Sequence, residues 1–174
     1  MDNEVVKVLS NASLPQHVIA GVLGNIDVET GGTFDYTQKQ KGGNGYGLFQ
    51  FDFHKPYYDQ WLEETGKKDS EAAQTEYFLD TIYGGSQDII GKKMAREIQS
   101  KLAETQTAQE AAKVLSEMWL KPGKPHLGRR MHSAAVFDNV MTKMAEEEQP
   151  KEEEVSMERD EGLFNGFLSF IGVK

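Results

Sequence analysis

Residues 25–51, NIDVETGGTFDYTQKQKGGNGYGLFQF, decide how the rest of the chain is interpreted. They place Glu29 at the end of an apolar helical segment that Gly31 and Gly32 are expected to stop. A glycine-rich stretch follows and ends in a compact motif, GYGLFQ, at residues 45–50. A carboxyl group held against an apolar face, opposite a flexible polar loop, suits a general acid that cleaves glycosidic bonds.

Helical phasing gives the reason for choosing Glu29. With Val18 set to zero, Ile26 falls at about 80° and Glu29 at about 20°, inside the apolar stripe, whereas Asp27 falls at about 180°. The phasing predicts partly apolar surroundings for Glu29, which favour the protonated acid. The alternative is an ordinary polar helix end. Gly21 and Gly24 lie within the same helix and predict a close approach by another backbone or by a substrate.

The GYGLFQ motif can bring backbone N–H and C=O groups close to a sugar chain. The amide of Gln50 can donate and accept at once, which suits hydroxyl and N-acetyl groups. Gly45 and Tyr46 belong to the same predicted binding surface. Leu48 and Phe49 are expected in the core, and a purely structural turn remains the alternative.

A second carboxylate is harder to assign. Asp35 and Asp52 flank the loop and are candidates, because glycosidases usually pair two carboxyls about 5–9.5 Å apart. Each also has the sequence context of an ordinary turn residue. The four histidines show no metal-ligand spacing, so neither a metal nor a cofactor is expected. For Arg129 and Arg130, a solvated helix start is favoured over contact with an acidic substrate.

The bulk composition narrows the function classes. The chain has 174 residues, no cysteine and a net charge of −9. Residues 146–174 contribute nine acids and three bases, so the tail carries −6 and the body −3. No basic patch suggests nucleic-acid binding. The first residues do not have the pattern of a signal peptide, so synthesis in a cytoplasm is expected, and no apolar run reaches the roughly 20 residues of a membrane span.

Periodicity and breakers predict a mainly α fold with a glycine-rich cleft loop that has room for a small β-hairpin. Capping signals are expected at Ser13, Ser70, Ser86 and Thr107. Helices are predicted at residues 4–9, after the cap at residues 13–16, from Pro56 to Gly66, and at about 129–145. Three more are predicted to begin at the caps Ser70, Ser86 and Thr107. Three parts follow: a domain at 1–145, an acidic linker at 146–161 and an apolar segment at 162–174.

Two motifs, GNIDVET at residues 24–30 and GYGLFQ at residues 45–50, resemble the phage tail lysozyme family. That family belongs to a lysozyme-like group with goose-type lysozymes and lytic transglycosylases. Later residues are also similar, namely EYFL at 76–79 and the pattern of Trp119, Pro122, Pro125, Arg129, Arg130 and Ala134. The resemblance spans about residues 5–145. The sequence departs from the family at Val28, where a small polar residue is often found, and at Phe51, where tryptophan is common.

The resemblance implies a lysozyme-like domain in which Glu29 is the acid and Asn25, Gly45, Tyr46 and Gln50 line the cleft. The implied activity is that of a phage virion muramidase, which cuts peptidoglycan in the host periplasm during genome delivery. The alternatives are a lytic transglycosylase with the same acid, an inactive structural or adaptor protein of a phage tail, and an endolysin for host lysis.

The apolar residues of the C-terminal segment recur at roughly helical spacing: Leu163, Phe164, Phe167, Leu168, Phe170 and Ile171. The segment is too short to span a bilayer and suits docking into the groove of a protein partner. We therefore expect it to anchor the chain to a larger assembly such as a phage tail. Binding to a membrane surface, or to the chain's own body, remains an alternative.

Overall fold

The computed structural model describes residues 4–148, and in that range the chain is mainly helical, as predicted. Seven α-helices are formed there: α1 Glu4–Asn11, α2 Gln16–Thr30, α3 Lys55–Thr65, α4 Glu71–Tyr83, α5 Lys92–Glu104, α6 Ala108–Leu115 and α7 Leu127–Glu148. A 3-10 turn, Gly85–Ile89, precedes α5, and a π turn, Ser116–Leu120, continues α6. Most of the predicted linker and the whole apolar C-terminal segment lie outside the described residues.

Helix α2 is the centre of the molecule. It is buried on several faces and packs against α6 and α7. A Cβ atom added to Gly21 would lie 2.7 Å from Cβ of Ala111, and one added to Gly24 would lie 2.5 Å from the backbone nitrogen of Ala134. The two glycines therefore allow α6 and α7 to approach α2 closely. The predicted close approach is confirmed, and its partners are neighbouring helices.

Two of the four predicted caps are confirmed. The Ser70 hydroxyl accepts a hydrogen bond from the N–H of Ala73 at the start of α4. At α6, the side chains of Thr107 and Glu110 exchange hydrogen bonds with each other's backbone N–H groups in a capping box. Both caps are local, which is why the sequence alone predicts them.

The other two caps are wrong. Pro15 occupies the capping position of α2, where its carbonyl accepts from the N–H groups of Val18 and Ile19, while Ser13 lies in a turn with φ +56°. Ser86 lies in the 3-10 turn, and its hydroxyl donates to the carboxylate of Asp80 in α4. Helix α5 instead starts after Gly91, whose φ of +87° breaks the preceding turn.

The glycine-rich loop is held to the helices by aromatic packing. Phe49 stacks on Phe78 of α4 with ring centroids 5.0 Å apart, and it meets Trp119 of the π turn edge-on at 5.5 Å. Leu48 and Phe49 are buried, as predicted. In place of a hairpin, the loop of the described chain has one antiparallel bridge between Lys39 and Tyr46.

Among residues 4–148, none of the helices combines the length and apolar composition needed to cross a membrane.

Candidate active site

Glu29 lies in the last turn of α2, where the helix must end. Gly31 caps α2 in the left-handed conformation with φ +63°, and its N–H bonds the carbonyl of Asp27. The side chain of Glu29 is 15% exposed, and its Oε1 accepts from Nη2 of Arg130 at 2.8 Å. The expectation of apolar surroundings is therefore wrong in one respect, because a guanidinium contacts the carboxylate.

Glu29 opens onto a cavity of about 600 Å³, which we call the Glu29 cavity. It is lined by Val28, Glu29, Gln40, Pro122, Gly123, Lys124, His126 and Arg130. In the part of the chain that the structure describes, Glu29 is the only acid in this lining. Hydrogen-bonding and cationic groups thus surround a single carboxylate in an open, mostly polar space.

Arg130 is the residue that fixes Glu29. It lies in the first turn of α7, and only 2% of its side chain is exposed. Its Nε donates to the carbonyl of Pro125 at 2.7 Å, and Nη1 donates to Oδ1 of Asn25 at 3.1 Å. The predicted solvated helix start fits Arg129, which is exposed, and is wrong for Arg130. No local signal separates the two arginines, because the contacts of Arg130 come from α2 and from the segment before α7.

Asn25 does not line the cavity. It is 1% exposed, and its Nδ2 donates to the carbonyls of Gly21 and Ala112 at 2.9 and 3.0 Å. Its Oδ1 accepts from Arg130. The implied contact with sugar is therefore wrong, since burial leaves no access. Asn25 instead orients the arginine that holds Glu29.

Gln74 organises the glycine-rich loop, a role the sequence analysis missed. This fully buried side chain of α4 accepts from the N–H of Leu48 at 2.8 Å. It also donates to the carbonyl of Tyr36 at 2.8 Å and to Asp69 at 3.0 Å. Gly47 has φ +75°, and a Cβ there would lie 2.2 Å from Oε1 of Gln74. The motif therefore needs glycine at this position.

Tyr46 is half-buried, and its hydroxyl donates to the carboxylate of Asp69. Tyr58 donates to the same carboxylate at 2.7 Å. Burial first, and then the hydrogen bond to Asp69, raises the pKa of both phenols above its usual range. The Tyr46 hydroxyl therefore secures the loop, and its ring, with Nζ of Lys55 4.9 Å from the centroid, is the part left for other contacts.

Gln50 lines a different cavity from Glu29. This Gln50 cavity has a volume of about 270 Å³ and is lined by Phe49, Gln50, Phe51, Asp52, Phe53, His54, Trp119, Leu120 and Lys121. The Nε2 of Gln50 donates to the carbonyl of Gly47 at 2.9 Å. Gly45 is buried, and a Cβ there would lie 2.7 Å from Oε1 of Gln50. Gly45 thus makes room for the Gln50 amide.

The two cavities adjoin along the chain. Lys121 lines the Gln50 cavity and the next residue, Pro122, lines the Glu29 cavity. The two linings meet in the chain between these two residues and share no residue. Glu29 and the GYGLFQ motif therefore line two separate cavities.

Neither candidate for the second carboxylate lies in the Glu29 cavity. Asp35 is exposed and accepts from the N–H and hydroxyl of Thr37 at 2.8 and 2.7 Å, which lowers the pKa of Asp35. Asp52 is exposed and lines the Gln50 cavity. Asp35 thus has the geometry of a turn residue, while Asp52 faces the space beside Gln50.

Residues 4–148 contain no group of three or more His, Cys, Asp or Glu side chains placed so that it could hold a metal ion. His54 is buried, stacks on Trp119 with centroids 4.6 Å apart, and makes a hydrogen bond of 3.1 Å with the hydroxyl of Tyr77. Burial, with a smaller contribution from Lys121, lowers the pKa of His54 to about 4. His54 is therefore a neutral packing group in the wall of the Gln50 cavity at neutral pH.

No curated protein sequence matches the chain in a sequence comparison. The family model described as phage tail lysozyme does match, over residues 2–141. This range contains both motifs, the Glu29 cavity, the Gln50 cavity and the buried arginine. The chain thus belongs to the phage tail lysozyme family.

Proposed function

We propose that the chain is a muramidase that cleaves the β-1,4 bond between N-acetylmuramic acid and N-acetylglucosamine, with Glu29 as the general acid. The observation that carries the proposal is Glu29 at the end of a buried helix, fixed by Arg130 and open to a polar cavity. Membership of the phage tail lysozyme family supports the same activity. Peptidoglycan is the proposed substrate, and the reaction needs no cofactor.

In the proposed reaction, protonated Glu29 donates its proton to the glycosidic oxygen as the bond from that oxygen to C1 breaks. The bonding electrons stay on the leaving oxygen, and positive charge develops at C1. Water adds to C1, and the proton that water loses restores the acid. Arg130 contacts Oε1, so Oε2 is the oxygen that would carry the proton.

Arg130 has a defined electrostatic role in this scheme. When Glu29 gives up its proton, the carboxylate that forms already lies 2.8 Å from a guanidinium nitrogen. A fixed positive charge at that distance stabilises the developing negative charge without reorganisation during the reaction. Lys124 and His126, which line the same cavity, are candidates for hydrogen bonds to the sugars.

The test is the Glu29→Gln variant on purified peptidoglycan. We expect turnover to fall by about 100-fold or more, because glutamine cannot donate a proton to the leaving oxygen. The matched control is Glu63→Gln, which changes an exposed acid of α3 in the same way. Thermal melts of both variants are needed to verify that each one folds. Full activity of Glu29→Gln would refute the mechanism.

A lytic transglycosylase remains the second candidate. The observation in its favour is that Glu29 is the only carboxylate among the described residues lining its cavity. In this version the 6-hydroxyl of the muramic acid attacks C1 instead of water. Mass spectrometry of the products decides between the two, since 1,6-anhydro ends identify the transglycosylase and reducing ends identify the hydrolase.

We place the activity in a virion tail, acting on the host cell wall during genome delivery, and the name of the family supports this location. Residues 162–174, proposed above as an anchor, would connect the enzyme to a tail protein. Activity as an endolysin is the alternative. Copurification of the chain with intact particles supports the virion location, and its absence from particles contradicts it.

A further inference from the structure

We infer that Lys124 selects the substrate of the Glu29 cavity by binding a carboxylate of the stem peptide, which is attached to the muramic acid beside the cleaved bond. This inference rests on the proposed function and names a part of peptidoglycan, other than its sugars, that the cavity recognises. It is carried by the charge of the cavity, by the unpaired charge of Lys124 among residues 4–148, and by the backbone that holds this lysine.

The Glu29 cavity is cationic in a chain whose net charge is −9. Its lining contains two cationic side chains, Lys124 and Arg130, and one acid, Glu29. Arg130 contacts Glu29 at 2.8 Å, so the guanidinium balances the ionised carboxylate and the charge of Lys124 is left over. When Glu29 is protonated, as a general acid must be, the excess of positive charge is larger. The cavity therefore favours a ligand that brings an anionic group.

Lys124 has no partner for its charge in the part of the chain that the structure describes. Other lysines there do form ion pairs, since the Nζ atoms of Lys7, Lys55, Lys67 and Lys92 each lie within 3.3 Å of a carboxylate oxygen. Residues 121–130 contain four lysine or arginine residues and no acid, so the local sequence supplies no partner. The side chain of Lys124 is exposed, and its charge is available to a ligand.

The backbone that carries Lys124 is tied to the proposed acid. Pro122 and Pro125 lie on either side of this lysine, and each proline ring fixes φ near −65°. The carbonyl of Pro125 accepts from Nε of Arg130 at 2.7 Å, and Nη2 of the same arginine donates to Glu29 at 2.8 Å. Lys124 thus directly precedes a residue that Arg130 links to Glu29, so the attachment point of its ammonium group is held beside the cavity.

A carboxylate is the anion that peptidoglycan offers near the bond that a muramidase cleaves. The sugars are neutral, whereas the stem peptide on the muramic acid has free carboxyl groups that are ionised at neutral pH. A hydrogen bond from an ammonium group to a carboxylate is roughly twice as strong as one between neutral groups. Lys124 should therefore favour peptide-bearing strands over neutral polymers of N-acetylglucosamine.

Binding is measured by isothermal titration calorimetry with the full chain carrying Glu29→Gln. The probes are phosphate-free tetrasaccharides of alternating N-acetylglucosamine and N-acetylmuramic acid that carry stem peptides, and the same fragments after conversion of their carboxyl groups to amides. Adding Lys124→Met should weaken binding of the untreated fragments by roughly threefold to tenfold, since an exposed ion pair contributes modestly. It should leave binding of the amidated fragments unchanged. Lys124→Arg keeps the charge and should preserve binding of both.

The matched control is Lys113→Met, which removes the same charge at an exposed position that lines a different cavity. This variant should bind both kinds of fragment as its parent does. Raising the salt concentration should also reduce the difference between Lys124→Met and its parent, because salt screens the attraction between exposed charges. A purely structural role of Lys124 would produce neither the dependence on carboxylates nor the dependence on salt.

Three results would overturn the inference. Lys124→Met could bind the untreated fragments as tightly as its parent, Lys113→Met could weaken binding equally, or Lys124→Met could lose as much affinity for the amidated fragments as for the untreated ones. The readout does not require bond cleavage. If the unmodified chain leaves peptidoglycan uncut while binding still depends on Lys124 and on the carboxylates, the proposed reaction fails and the inference stands. If the chain cleaves peptidoglycan and Lys124→Met binds normally, the inference fails alone.

Discussion

At the scale of single residues, Arg130 has the densest set of contacts in the site. Its guanidinium joins the carboxylate of Glu29, the side chain of Asn25 and the carbonyl of Pro125 while being almost fully buried. A planar guanidinium with five N–H donors can bond acceptors in three directions at once, whereas a lysine ammonium acts as a point charge on a flexible stem. Arg130 therefore determines where the acid lies.

We expect Arg130→Lys to lower kcat by about 10-fold to 100-fold on peptidoglycan with a smaller change in KM. The charge remains, but the fork that orients Glu29 is lost, and a misplacement of about 1 Å can cost 100-fold in rate. Steady-state kinetics of the variant, with a circular dichroism melt to verify folding, provide the measurement.

The neighbouring arginine is the control. Arg129→Lys makes the same exchange at an exposed position and should leave both constants unchanged. A positioning role for Arg130 also requires that Arg130→Lys cause no further loss in a chain that already carries Glu29→Gln. A rise in KM with unchanged kcat would show that Arg130 binds substrate directly.

The residues of the site differ in how far sequence could predict them. Glu29 follows from its phase on α2, a local property, whereas its contact with Arg130 joins positions 101 residues apart. Asn25 lies in the motif, yet the packing of α6 against α2 buries it. Helical phase predicts which side chains of one helix share a face. Whether a side chain is buried depends on the other helices that pack against that face in the fold.

At the scale of helices, the glycines of α2 set the distance to α7. A Cβ on Gly24 would lie 2.5 Å from the nitrogen of Ala134 and 2.7 Å from the carbonyl oxygen of Arg130. Both neighbours are backbone atoms, so a rotamer change cannot relieve the overlap. Because Arg130 is one of the two residues, the close packing of α2 on α7 also positions the site.

Gly24→Ala should therefore destabilise the fold by about 1–3 kcal/mol or more, because overpacking forces the helices apart. Urea unfolding at constant pH measures the change in free energy. Gly128→Ala is the control within α7, since a Cβ there meets nothing within 4 Å. It should be neutral or stabilising, by up to about 1 kcal/mol. Equal stability of Gly24→Ala and the unmodified chain would contradict the packing argument.

Helix ends show where local signals suffice. The capping box at Thr107 uses partners three residues apart and was predicted correctly. The helix cap expected at Ser86 fails because the Asp80 carboxylate accepts a hydrogen bond from the serine hydroxyl and also from the N–H of Gly85. Asp80 competes from the preceding helix, and residue spacing around Ser86 does not reveal it.

At the scale of the whole molecule, His54 connects the loop, α4 and the π turn. It packs against Trp119 and forms a hydrogen bond with the hydroxyl of Tyr77. The imidazole is buried, so a proton added to it in the folded chain would place a charge away from water. Burial lowers the pKa of His54 to about 4, whereas an unfolded histidine titrates near 6.5. Between these values the unfolded chain binds more protons at this residue than the folded chain.

The stability of the fold should therefore decrease as the pH falls between these two pKa values. The free energy of unfolding rises with pH wherever the unfolded state binds more protons. The contribution of His54 should therefore be complete above pH 6.5 and should be lost progressively as the pH falls toward 4. A pKa difference of this size corresponds to roughly 3 kcal/mol.

His54→Gln isolates this effect, because glutamine does not titrate and can still bond Tyr77. Urea unfolding at pH 7 and pH 4.5 should show a smaller loss of stability in His54→Gln than in the unmodified chain, whatever the stability of the variant at pH 7. His132→Gln, at an exposed position of α7, should retain the full loss. An equal loss in His54→Gln and the unmodified chain would mean that His54 does not couple protonation to the stability of the fold.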